Sequence, residues 1–174
     1  MNQIKFFTAI AIFFVSFGLT SCDNEPVDPA IDLNPQPPFI PEVQSFMVNF
    51  NDGTYIADQS EAAIFDGQII INSFKGSILE GFTITIDGTG AGSYQANENT
   101  ITYSPGVGST EIYESVNPAD PTANTGQITI TNVDVINRTL SGNFNFTGYY
   151  SPPTGPVVTK SFTNGVFTAV PYTE

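Results

Sequence analysis

The chain has 174 residues, 40% of them hydrophobic, enough for one domain with a core. It contains no histidine and one cysteine, which excludes an intramolecular disulfide, a His/Cys zinc site and any histidine-activated nucleophile. Four Lys and Arg stand against 17 Asp and Glu, and a net charge of -13 excludes the cationic phosphate contacts that nucleic-acid binding needs.

Residues 1–21 read as a targeting leader. Lys5 supplies the positive start, and residues 6–19 are an apolar run. That run is shorter than the roughly 20 residues of a membrane-spanning helix and has the length of a signal-peptide core. It ends in Leu19-Thr20-Ser21-Cys22, which resembles the lipobox of bacterial lipoproteins. The resemblance implies cleavage before Cys22, acylation of its thiol, and a partnership with the membrane through the acyl chains. A lone exposed thiol in an exported chain is a liability that acylation removes. Loss of Lys5 with the leader leaves three basic side chains against 17 acidic ones, a charge of -14.

Residues 22–44 form the anchored tether. Prolines at 26, 29, 35, 37, 38 and 41 and acids at 23, 25, 28, 32 and 42 predict an extended spacer. At about 3 Å per residue it reaches some 60–70 Å. Asp23 and Glu25 directly follow the cysteine. They resemble the signal that sends Bacteroidota lipoproteins to the outer face of the outer membrane, so an outer-membrane, surface-exposed location is expected.

Residues 45–174 read as an all-β domain. Phe46, Val48 and Phe50 alternate, and Asn51-Asp52-Gly53 predicts a hairpin to Tyr55 and Ala57. Residues 62–65 make a short strand ended by Asp66-Gly67, and residues 68–72 a continuous apolar strand expected to be covered on both faces. Phe82, Ile84 and Ile86 share one face before Asp87-Gly88 turns the chain. Ile101 alternates with Tyr103, and Ile112 with Glu114 around Tyr113. From 126 to 150, Ile128 and Ile130 precede a phase shift at Asn132 that predicts a β-bulge. After a turn at Asn137-Arg138, Leu140, Gly142, Phe144 and Phe146 share a face. The last pair, residues 157–162 and 166–170, is expected to be a hairpin around Asn164-Gly165. About nine or ten strands joined by short turns predict an antiparallel β-sandwich or β-barrel. Residues 104–110, 115–125 and 148–156 are the longest loops and the expected carriers of recognition.

Three pieces share a pattern: residues 46–55 (Phe-Met-Val-Asn-Phe-Asn-Asp-Gly-Thr-Tyr), 140–146 (Leu-Ser-Gly-Asn-Phe-Asn-Phe) and 163–167 (Thr-Asn-Gly-Val-Phe). Their order resembles small uncharacterised Bacteroidota lipoproteins with a single β-rich domain, over about residues 45–170. The resemblance implies no catalytic residue.

Candidate chemistry is sparse. Glu111 with Glu114, or Asp58 with Glu61, would be the carboxylate pair of a glycosidase, but so many acids produce such pairs by chance. Asp52, Asp66 and Asp87 precede glycines without a calcium-loop spacing and read as turn residues. The run Gly88-Thr89-Gly90-Ala91-Gly92 lacks the spacing and lysine of a phosphate loop and reads as a flexible turn. Neither a metal nor a cofactor is expected. Tyr103, Tyr113, Tyr149 and Tyr150 are the candidate ligand-binding residues, as platforms for a sugar ring. The expectation is a lipid-anchored, non-catalytic envelope module with a binding or structural accessory role, its partner a glycan or an envelope protein. The competing expectation is a carbohydrate-binding accessory of glycan uptake.

Overall fold

The computed structural model describes residues 43–51 and 53–174. The leader, Cys22, the tether up to residue 42 and Asp52 lie outside the described residues. Eleven strands follow in order: β1 (Ser45–Phe50), β2 (Gly53–Ile56), β3 (Gln59–Phe65), β4 (Gln68–Lys75), β5 (Glu80–Asp87), β6 (Gly92–Gln95), β7 (Thr100–Ser104), β8 (Tyr113–Glu114), β9 (Gly126–Asp134), β10 (Thr139–Tyr150) and β11 (Val158–Thr173). The all-β expectation holds, with β6 as an addition to it.

The strands pair in the order β2-β1-β11-β3-β4-β5-β7-β8-β10-β9-β6, and a further β10–β11 pairing closes β11, β3, β4, β5, β7, β8 and β10 into a ring. Every pairing is antiparallel except the short seam of β11 with β3, where Tyr172 faces Ala62 and Thr173 faces Ala63. The ring is closed, and β1–β2 and β9–β6 continue the sheet beyond it while their inward residues, among them Phe46, Tyr55 and Ile128, join the same core.

Local chemistry explains the connections. Asp66 and Gly67 both take positive φ (51° and 80°), the geometry of a tight hairpin that matches strand twist. Asp134 accepts backbone hydrogen bonds from Ile136 and Asn137 at 2.9 Å and so builds the β9–β10 turn. The bulge expected near Asn132 is present: Ser141 faces Asn132 while Gly142 faces Ile130. The hairpin expected at Asn164-Gly165 is absent. Only Asn164 of that pair takes positive φ (51°), and β11 runs on through it as a bulge between Phe162 and Gly165. The bulge wins because residues on both sides of it already pair with β10 and β1. The isoleucine run of β4 also departs from expectation. Ile69 and Ile71 are buried, but Ile70 is only half-buried. A closed ring has one inside, and Ile70 lies on the outer wall between Ala63 and Thr85.

Aromatic rings fill the interior. Phe82 sits among Tyr103 (4.7 Å), Tyr55 (4.9 Å) and Phe162 (5.4 Å). Phe146 stacks on Phe162 at 4.4 Å, and Phe46 bridges Phe144 (5.4 Å) and Phe82 (5.8 Å). Such rings dominate core energetics, each pair adding roughly 0.5–1.5 kcal/mol beyond its buried area.

Strand direction distinguishes the two ends of this body. β1 starts at Ser45 opposite Thr168 and ends at Phe50 opposite Phe162. The chain therefore enters at one end, beside the β3–β4 and β9–β10 turns. Lys160 and the loops at 76–79, 105–112 and 151–157 lie at the other.

Candidate functional site

At the end remote from chain entry, β11 carries Lys160 two residues before the buried Phe162, on the same face of the strand. Its stem is drawn inward, and its ammonium stands over three rings: 4.7 Å from the centre of Tyr113 and 5.2 Å from Tyr103 and Phe50. Each ring presents a negative face, so the cluster is a cation cage, and Lys160 supplies the cation. The phenols are tied down by acids. Tyr103 donates to Glu80 Oε1 at 2.7 Å, and Tyr113 to Glu111 Oε2 at 3.1 Å. Burial first, then the carboxylate acceptor, raises both phenols above the usual tyrosine range. Tyr55 lies deeper and shares hydrogen bonds of 3.3 Å with Ser73 Oγ and the Glu80 carbonyl. Burial pushes it up to about 12. Period two on residues 158–162 already marks Lys160 as inward-facing, a signal the charge of the residue obscured.

The four candidate tyrosines separate into two pairs. Tyr103 and Tyr113 are 3% and 4% exposed, with their faces spent on the core and on Lys160. They do not form a surface platform, because β7 and β8 turn them into the ring interior. Tyr149 and Tyr150 are half-buried and lie on β10, not in the expected loop at 148–156. With Ile112, Glu114 and Pro118 they line a groove of about 250 Å³. Tyr150 rests on Tyr113 at 5.8 Å, which ties the groove to the cage behind it. A second groove, about 340 Å³, follows the β3–β11 seam beside Glu61 and Tyr172.

The acids serve the fold. Asp58 accepts the Gly76 amide at 2.5 Å, Asp87 accepts from Gln68 Nε2 at 2.5 Å, and Asp66 occupies its turn. Among the described residues no group of three His, Cys, Asp or Glu side chains gathers as a metal site would require. The glycine run at 88–92 wraps around a ring instead of hanging free: Tyr94 donates to the Gly90 carbonyl at 2.9 Å and its ring packs against Gly88.

A comparison with curated proteins finds no match, and a comparison with solved structures finds none either. One family model does match, over residues 42–171, a span that takes in all eleven strands but for the last two residues of β11. The chain belongs to the family described as Domain of unknown function (DUF6252).

Proposed function

We propose that this protein is a lipid-anchored envelope lipoprotein of the Bacteroidota type, a non-catalytic module that presents one end of a rigid barrel to a partner. The observation that carries this reading is the polarity of the body. The chain enters at one end through residues 43–45, and the caged Lys160, the Tyr149–Tyr150 groove and three loops gather at the other. A domain held from one end offers its opposite end to whatever lies beyond the membrane. The aromatic packing supports recognition on the outside of the barrel and not within it. The test of the anchor is direct. Cys22→Ala should abolish labelling by an alkyne fatty acid and leave uncleaved precursor, and normal labelling of that variant would refute the anchor.

A second reading, carbohydrate binding, draws on one observation: two half-buried tyrosines share a groove with Glu114. Aromatic faces beside a hydrogen-bonding carboxylate suit sugar rings. On a glycan array the full chain should then bind and Tyr149→Ala should not. Binding by neither chain leaves the protein-partner reading.

A further inference from the structure

The end where the chain enters has a chemistry of its own. Large apolar side chains stand exposed there: Ile136 at 89%, Phe65 at 72% and Val135 at 70%, with Val43 beside the entry point. The opposite end has exposed apolar residues of its own, Val107 at 73%, Leu79 at 61% and Ile78 at 51%, so exposure alone does not choose between the ends and the point of chain entry does. The tips are neighbours by register. Tyr172 donates its amide to the Arg138 carbonyl on one side and faces Ala62 of β3 on the other. The β9–β10 and β3–β4 turns therefore flank the same stretch of β11.

The tips are also built stiffly. Asp134 holds the backbone amides of Ile136 and Asn137, and takes a 2.7 Å hydrogen bond from Asn137 Nδ2. Phe65 precedes the two positive-φ residues of a tight turn. With the backbone of these turns already held, covering the three apolar side chains costs side-chain order only.

What covers them is indicated by the chain outside the described residues. Residues 23–42, read from the sequence as an extended spacer whose full reach is about 60–70 Å, join Cys22 to Val43 and lead into the domain at this end. From this, and resting on the lipid-anchor reading, we infer that Phe65, Val135 and Ile136 dip into the lipid headgroup region and set the barrel upright. An anchored domain meets the bilayer at high effective concentration, so a small apolar contact is enough to orient it. Asp66 and Asp134 beside the tips favour a zwitterionic surface, whose ammonium groups pair with them, over an anionic one.

The absence of tryptophan makes the test clean. Phe65→Trp, Ile136→Trp and Val107→Trp each create a single emitter in the full chain, purified in its processed form in detergent. Each is reconstituted on phosphatidylethanolamine–phosphatidylcholine vesicles and floated on a density gradient. Emission from positions 65 and 136 should move to shorter wavelength and be quenched by brominated acyl chains, while position 107 stays water-like. Vesicle-bound protein with all three emitters water-like would overturn the inference and leave the anchor intact. Failure to float would strike the anchor reading instead, and the inference with it. A blue shift that grows with protein concentration without lipid would also overturn it, by naming a second copy of the chain as the occupant.

Discussion

Gly142 and Gly165 face each other's neighbours across β10 and β11: Gly142 lies opposite Phe167, and Gly165 opposite Phe144. The two glycines are seats for the two rings. A Cβ at 165 would stand 2.6 Å from the Phe144 ring, and one at 142 would also press into the Phe167 ring. Gly165→Ala should lower stability by roughly 1–3 kcal/mol, the range for overpacking a filled core. The measurement is the urea midpoint, which should fall at constant slope. An unchanged midpoint would show that the ring has room to move. The inward set Leu140, Gly142, Phe144 and Phe146 is legible in the sequence from period two alone. Which ring covers which glycine is not, because that depends on the register of β10 against β11, separated by a loop. Tyr103 and Tyr113 show the same limit. Alternation places them on one face, and only closure of the ring makes that face the inside.

Among the strands, β11 has the widest reach. β10 lies along one side of it, while β1 and then β3 share the other. It follows two neighbours by bending at bulges, with Asn164 (φ 51°) and Ala169 (φ 48°) in the left-handed region. The Ser141 hydroxyl accepts the Ala169 amide at 3.0 Å and supports the second bend. Asn164-Gly165 reads as a hairpin because the dipeptide favours positive φ, and a bulge makes the same local demand. Local chemistry cannot separate the two; the partners waiting on both sides of β11 do. Removing residues 158–174 deprives β1, β10 and β3 of a partner at once. Such a chain should show no cooperative thermal transition and a coil-like circular dichroism spectrum. A folded truncation would mean that β11 is a lid on a body stable without it.

For the molecule as a whole, alkaline pH is where the core gives way. Tyr55 (up to about 12), Tyr103 and Tyr113 are all raised above their unfolded value by burial first. A phenol raised in the folded state lends stability that is complete below about pH 10, the unfolded value, and drains away as pH climbs through the folded one. The urea midpoint should hold from pH 7 to 9 and fall between about pH 10 and 12. Tyr103→Phe should soften that fall, since it removes one of the buried phenols. A midpoint that stays level to pH 12 would count against these tyrosines being sealed in the core. The β class, the single domain and the inward faces are legible from alternation and turn residues. Closure of the ring, and with it the two unlike ends, is not, since a two-residue seam between β3 and β11 leaves no mark on composition or period.

The pairing of β1 with β11 joins the first strand of the domain to its last. Contacts so distant along the chain make folding slow, because loop-closure entropy is lost before the contact forms. They also set its timing during synthesis. Phe46 can meet Tyr55 and Phe82 early, but its cover lacks the Phe167 ring until β11 has left the ribosome, and no early portion of the domain is complete without the late one. On the lipoprotein reading proposed above, the chain crosses the membrane before β11 arrives to close the barrel, so the late strand keeps the translocating chain unfolded.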